Sequence, residues 1–273
     1  MIRIPYFLIL AFLFVSNLCN GGGEYRIIGA KAASLGYTSV SVYDLWSGFN
    51  NQAGLALLQE TSVGIYHENR YLVKELGLSA ATFNLPTHAG TVALSVTYFG
   101  FNEWNESKVG FAYARAFGDR LAVGAQLDYC LIHQDEHYSN LDFITFEVGM
   151  LIRLSDKVML GLHTYNPINA SISEYTDEKS PSTFRLGTSY KVSDKFLLTG
   201  EIEKCMDKKA VLKTGVQYAI LPSVFIRTGI STNPSLWAFG AGLGFRNFTI
   251  DLSTTNHYVL GFSPQVSLSY RFK

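Results

Sequence analysis

From Thr61 to Phe272 apolar residues recur at every second position, and this alternation constrains the fold more than any other feature of the chain. Leu121, Val123, Ala125, Leu127, Tyr129 and Leu131 interleave with Ala122, Gly124, Gln126, Asp128 and Cys130. Phe262, Pro264, Val266, Leu268, Tyr270 and Phe272 interleave with Ser263, Gln265, Ser267, Ser269 and Arg271. Successive side chains of a strand point to opposite faces, so each segment has one apolar face and one polar or nearly bare face. Fourteen strands are predicted, at 61–68, 73–85, 90–100, 107–117, 120–133, 141–154, 157–166, 183–192, 195–204, 210–220, 223–231, 236–245, 248–255 and 260–272. A soluble sandwich would turn the apolar faces inward, whereas a membrane barrel turns them to lipid and lines its lumen with the polar ones.

The connections favour the barrel. Tight breaks at Gly118-Asp119, Ser155-Asp156, Ser193-Asp194, Leu221-Pro222 and Arg246-Asn247 alternate with longer polar stretches such as 133–140 and 166–182. Short turns on one rim and longer loops on the other are the mark of an outer-membrane barrel, and fourteen is an even number, as single-chain bacterial barrels require. The end of the chain, Tyr270-Arg271-Phe272-Lys273, resembles the terminal aromatic signal read by barrel-assembly machinery, with one lysine added.

Residues 1–21 read as a secretory signal: Arg3, then an apolar run from Tyr6 to Val15, then small residues up to Gly21. Cys19 also permits a lipoprotein reading, which Asn17-Leu18 before it fits poorly. No later stretch approaches the roughly twenty apolar residues of a membrane helix. Charged residues are only 16% of the chain and aromatics 14%, as suits a wall facing lipid. Lys+Arg and Asp+Glu both number 22, so nothing here favours nucleic acid. Cys130 and Cys205 fall on separated strands and are expected to be unpaired.

Residues 22–60 break the alternation. They read Gly29-Ala30-Lys31-Ala32-Ala33-Ser34-Leu35-Gly36, then a short strand-like stretch from Val40 to Asp44, then Trp46 and Asn50-Asn51-Gln52-Ala53-Gly54-Leu55-Ala56. This resembles the N-terminal region of the FadL-like outer-membrane superfamily, above all its PorV/PorQ branch. That pattern runs Gly-Ala-Arg-Ala, a short hydrophobic strand with an acidic end, then Asn-Pro-Ala-Gly-Leu-Ala; Gln52 stands where proline is usual. The resemblance implies a fourteen-stranded barrel, residues 61–273, with 22–60 as an internal plug. Gly29, Gly36, Asp44, Trp46, Asn50, Asn51 and Gly54 are its candidate plug residues, and Asp44, Trp46, Asn50 and Asn51 are expected to hold it to the wall. On the strand 236–245, Gly240, Gly242 and Gly244 share one face with Ala238 and leave room inside. Gly110, Ala112, Ala114 and Ala116 do the same on 107–117.

Parity places Asp128, Glu147, Arg153, Arg185, Lys191, Glu201, Glu203, Lys213, Arg227, Asp251 and Arg271 in the lumen. Mixed signs suggest pairing across neighbouring strands rather than a single-sign selectivity ring. His163 can face the lumen, but no serine near it shows a nucleophile motif, so the chain is expected not to be an enzyme. His133 and His137, with Asp135 and Glu136 between them, have metal-ligand spacing, though a solvated loop tip is the simpler reading. No cofactor or metal is expected.

Two functions remain, both in the outer membrane of a Gram-negative bacterium, in contact with its lipid. The PorV/PorQ resemblance implies a component that anchors exported proteins in type IX secretion. Tyr138 and Tyr175, on the longest outer loops, are its candidate partner-binding residues. FadL relatives imply instead a passive transporter of hydrophobic small molecules. Little chain is left here for the long ligand-capturing loops of those transporters, and the sequence alone therefore leans towards the anchoring role.

Overall fold

The computed structural model describes residues 23–135, 140–172, 179–206 and 208–272. Fourteen antiparallel strands form one closed barrel: β1 (Ser62–Asn69), β2 (Gly77–Thr87), β3 (Gly90–Gly100), β4 (Asn105–Phe117), β5 (Leu121–His133), β6 (Leu141–Arg153), β7 (Val158–Tyr165), β8 (Thr183–Ser193), β9 (Phe196–Cys205), β10 (Val211–Leu221), β11 (Val224–Ser231), β12 (Leu236–Phe245), β13 (Phe248–His257) and β14 (Gly261–Arg271). Each strand pairs with its neighbours in sequence, and β14 returns to β1 with Arg271 opposite Ser62 and Gln265 opposite Glu68. Closure leaves no free sheet edge. These are the strands expected from the alternation. The largest shift is at β2, which begins at Gly77 rather than 73. Residues 70–72 and 74–76 coil into short 3-10 turns, with Tyr71 and Leu72 at φ 56° and 59°, a conformation no pleated strand holds.

The tight turns at 118–120, 154–157, 194–195, 222–223 and 246–247 lie on the rim that carries Ser62 and Arg271, so that rim is periplasmic and the longer connections are external. The outward face is apolar along the strand centres, for example Ile65, Leu94, Phe111, Leu127, Ile144 and Leu252. Its charges or histidines, among them His67, Arg115, Asp142 and Lys204, sit near strand ends. Tyr98, Tyr129, Phe184, Trp237 and Phe262 ring the external rim, and Tyr113, Phe117, Tyr190, Phe245 and Phe248 the periplasmic one. A charge at mid-bilayer would cost ~2–4 kcal/mol, and aromatic girdles mark both interfaces. The chain has the architecture and the surface of a Gram-negative outer-membrane barrel.

Residues 23–57 occupy the lumen. They form two short helices, α1 (Ala30–Ser34) and α2 (Ser47–Asn50), and a 3-10 stretch, Gln52–Leu57. Ile28, Ala33, Leu35, Val40, Ala53 and Leu55 are fully buried there. A closed barrel offers this segment no edge to pair with, so its backbone groups must find partners on the inner wall or within itself. Against β1–β3 it packs by apolar contact: Trp46 and Phe49 meet Tyr66, Leu78 and Phe99.

Candidate functional site: the filled lumen

One arc of the wall grips the segment with buried charge. Glu201 on β9 accepts the backbone N–H groups of Ser39 at 2.8 Å and Val40 at 3.0 Å on one carboxylate oxygen. Its other oxygen takes the Arg185 guanidinium at 2.8 Å and Lys213 Nζ at 3.3 Å. Arg185, on β8, donates onward to the Asn50 carbonyl at 2.7 Å, to the Tyr25 hydroxyl at 2.6 Å and to Ser39 Oγ. Lys213 also pairs with Glu203 at 2.6 Å, so the group of four charges is neutral as a whole. Taking such groups from water is expensive unless every hydrogen-bonding position is used, and here the plug backbone supplies the missing partners.

A second group centres on Glu147 of β6. It accepts from Gln52 Nε2 at 2.7 Å and Lys108 Nζ at 2.6 Å, and lies 2.8 Å from His163 Nε2. Asp128 stands 3.6 Å from Lys108 and accepts from Gln126 at 2.7 Å. Gln52 stands where the resembled motif has proline, and its side chain makes a bond to the wall that proline could not. Asp128 Oδ2, Gln52 Oε1 and His163 Nδ1 are buried without a protein partner among the described residues.

Elsewhere the wall approaches the plug through glycines. A methyl group on Gly124 would stand 2.5 Å from the Gln52 carbonyl carbon, on Gly161 2.5 Å from that of Val40, and on Gly215 2.5 Å from the Leu35 oxygen. Gly229 lies against Leu35 and Gly36 in the same way. Gly36 itself turns with φ 69°, its backbone pressed on that of Ile230. Gly29, at φ 110°, lies under the Trp46 ring.

The residues singled out from sequence divide accordingly. Asn51 ties plug to wall, donating to the carbonyls of Met150 and Leu162 at 3.2 Å as well as to Val40. Trp46 packs edge-on against Tyr66 of β1. The Asn50 side chain is spent within the plug, on the N–H and carbonyl of Ile28; only its own carbonyl reaches Arg185. Asp44 does not hold the wall as expected: it pairs with Lys31 at 3.1 Å and accepts from the Trp46 N–H. Gly54 makes room for Ser47 inside the plug. Of the three glycines on β12, Gly240 alone faces the plug, at Ser34; Gly242 leaves space for the Arg227–Asp251 pair, and Gly244 lies near Ser223 at the periplasmic rim. The strand 107–117 carries more than bare positions, because Lys108 faces inward beside Gly110. Arg153 is half-buried near the periplasmic rim, Lys191 is exposed there, and Arg271 lies 3.9 Å from Glu60. Tyr138, Tyr175 and His137 fall outside the described residues; His133 Nδ1 is 2.8 Å from Asn140. Cys130 and Cys205 are both free. Sequence reasoning missed Tyr25, Arg26 and Glu106, which meet at the external end, where Arg26 pairs with Glu106 and lies over the Phe99 ring. Strand parity could have found Glu106 and Lys108; nothing in the sequence marks Tyr25.

Space remains at both ends of the plug. Towards the periplasm a vestibule of about 600 Å³ opens between Asp44, Leu58, Arg227 and Arg271. Towards the outside a cavity of about 30 Å³ is enclosed by Tyr25, Phe49, Lys108, Ile132, Phe143 and Tyr165. Cys130, Ile132 and Phe143 of its lining join Ile172 in an apolar cluster at the external end of the lumen, with Trp104 packed against it.

No protein-family model matches the chain. No curated protein matches it either. Solved structures do. The Ralstonia pickettii toluene transporter TbuX is similar over 91% of this chain and 99% of its own, at 10% identity and a TM-score of 0.70. The Pseudomonas putida toluene transporter TodX matches over the same shares, at 11% identity and 0.70. A Pseudomonas aeruginosa FadL homologue matches over 93% and 100%, at 11% identity and 0.68. These likenesses establish a FadL-like barrel fold.

Proposed function

We propose that the chain is a passive conduit for small hydrophobic molecules across the outer membrane, closed at rest by its own N-terminal segment. The observation that carries this reading is the apolar external end of the lumen, where Ile132, Phe143 and Ile172 are buried against one another. A barrel lumen is ordinarily polar, yet here Ile132, Phe143 and Ile172 turn inward above the plug, next to Phe99 and Trp104. Such a lining weakens water's hold on an apolar solute as it enters. Ile132 and Phe143 also line the small cavity that ends on the plug, which supports an entry path that the plug must clear. The fold shared with two toluene transporters supports the same reading. The PorV/PorQ-type anchoring role has no comparable support: its candidate contacts lie outside the described residues, and the structures matched above are described as transporters or as a FadL homologue.

The test is uptake of small aromatic compounds, toluene and p-cresol, by a Gram-negative host that lacks a channel of its own, with and without this protein. Expression should accelerate uptake of at least one of them several-fold, and Ile132→Glu, which places a charge in the apolar cluster, should abolish most of that gain while the barrel still shows its heat-dependent shift on SDS gels. Uptake of both compounds that is the same with and without the protein would sink the reading.

A further inference from the structure

Tyr25 fills a pocket built by other parts of the chain. Its ring lies beside those of His163 and Tyr165, with centroids 5.3 and 5.4 Å away, and the Arg185 guanidinium carbon stands 5.2 Å from its centre. Its hydroxyl donates to the Phe49 carbonyl at 2.9 Å and accepts from Arg185 Nη1 at 2.6 Å. Strands β7 and β8 thus supply flanking rings and a cation, and the end of α2 supplies an acceptor. Together they match one aromatic ring bearing one hydroxyl.

The stretch that carries Tyr25 is attached differently from the rest of the plug. Among the described residues, 23–27 make no backbone-to-backbone hydrogen bond. Side chains hold them instead: the Gly23 carbonyl accepts from Tyr165 and Ser180, Glu24 pairs with Lys208, and Arg26 pairs with Glu106. From Ile28 onward the segment is pinned through Asn50, Glu201, Asn51 and Gln52. Side chains alone thus attach residues 23–27, whereas 28–57 are also bonded through their backbone. The neighbouring cavity of about 30 Å³ holds roughly two water molecules, so nothing the size of a ring enters until Tyr25 withdraws.

We propose that Tyr25 is the resident stand-in for the transported ligand, and that this pocket takes a hydroxylated single-ring aromatic such as phenol or a cresol. The ligand displaces residues 23–27 and lays its hydroxyl between Arg185 and the Phe49 carbonyl. The inference rests on the conduit reading above and narrows its substrate class. Toluene offers the ring but leaves those two polar groups without the hydroxyl they are set to meet, and a buried site made for a hydroxyl discriminates strongly against the analogue that lacks it.

The experiment measures binding of p-cresol and toluene to the full-length protein in detergent by calorimetry, and uptake of both by the expressing host. Wild type should bind p-cresol at least ~tenfold more tightly than toluene. Tyr25→Ala, which removes the competing ring, should bind p-cresol about tenfold more tightly again. Equal binding of the two compounds by wild type, or a preference for toluene, overturns the phenol assignment while toluene uptake keeps the conduit reading standing. Binding of p-cresol by Tyr25→Ala but never by wild type also overturns it, since any truncated tyrosine leaves a hole. If p-cresol binds wild type with the stated preference while neither compound is taken up, the pocket assignment stands and the conduit reading falls. A Tyr25→Ala chain that fails to fold leaves the wild-type comparison to decide.

Discussion

Two buried arginine–carboxylate pairs face the same lumen and do different work. Arg185 and Glu201, on the β8–β9 arc, each hand part of their hydrogen bonding to the plug, at Ser39, Val40, Asn50 and Tyr25. Arg227 and Asp251, 2.6 Å apart on the β11–β13 arc, pair with each other and with Gln217, all of the wall, and border the periplasmic vestibule. The chemistry is alike; what differs is whether a backbone without a strand partner lies within reach. A buried ion pair is weak support for stability in itself, so the first pair matters for what it holds and the second for keeping its arc of wall neutral.

The comparison breaks outright if the plug blocks nothing. Deleting 24–56 should raise single-channel conductance in planar bilayers by an order of magnitude or more, and a wild-type barrel that already conducts as well would end the distinction. Next in size, Glu201→Gln and Asp251→Asn should each destabilise the barrel by ~3–5 kcal/mol, because each strands a buried cation. Only Glu201→Gln should add channel openings in the same recording; openings of equal frequency in both would show that the two arcs are equivalent. The glycines sharpen the contrast at smaller scale. Gly161→Ala pushes a methyl group into Val40 and should cost ~1–3 kcal/mol. Gly200→Ala meets nothing within 4 Å and should be neutral or stabilising by up to ~1 kcal/mol. The temperature at which the SDS-resistant form is lost ranks the two, and the reverse order would refute the close approach.

The smallest effect concerns the external tether. Partial desolvation alone would raise the Glu24 carboxyl, but the hydrogen bond and charge of Lys208, with Arg26 and Arg70 behind it, hold it below the ordinary carboxylate range. A carboxyl depressed in this way favours the bound tail above its ordinary pKa of about 4.3 and loses that contribution as pH falls through the lowered value. Both partners are more than half exposed, so salt should weaken the effect. Proteolytic access to residues 23–27 should rise slightly below about pH 4 and more at high ionic strength. Access that is constant with pH and salt would show that the Glu24–Lys208 contact holds nothing.

The comparison also bears on what could be read beforehand. The inward placement of Arg185, Glu201, Arg227 and Asp251 follows from strand parity, because period two admits only two faces and the outward one must be apolar in lipid. Their different duties do not follow, because nothing local distinguishes a carboxylate that meets a neighbouring strand from one that meets a segment about 160 positions away. Asp44 shows the same limit from the other side: the one carboxylate between Glu24 and Glu60, it looked like an anchor to the wall and is instead used by Lys31, thirteen residues earlier.

The sequence by itself determined the barrel: the number of strands, which face of each meets lipid, and which rim carries the turns, since alternation and tight breaks are local properties of the chain. The tertiary structure alone decided how the lumen is filled. Gly124 comes to lie opposite Gly149, Gly161 opposite Gly187 and Gly215 opposite Gly229. Those pairs exist only once register is set between strands, and they mark where a foreign backbone can touch the wall. The polar bonds of the plug likewise depend on groups brought together by closure, because an irregular segment inside a barrel has no ladder of its own and takes whatever donors and acceptors the folded wall presents.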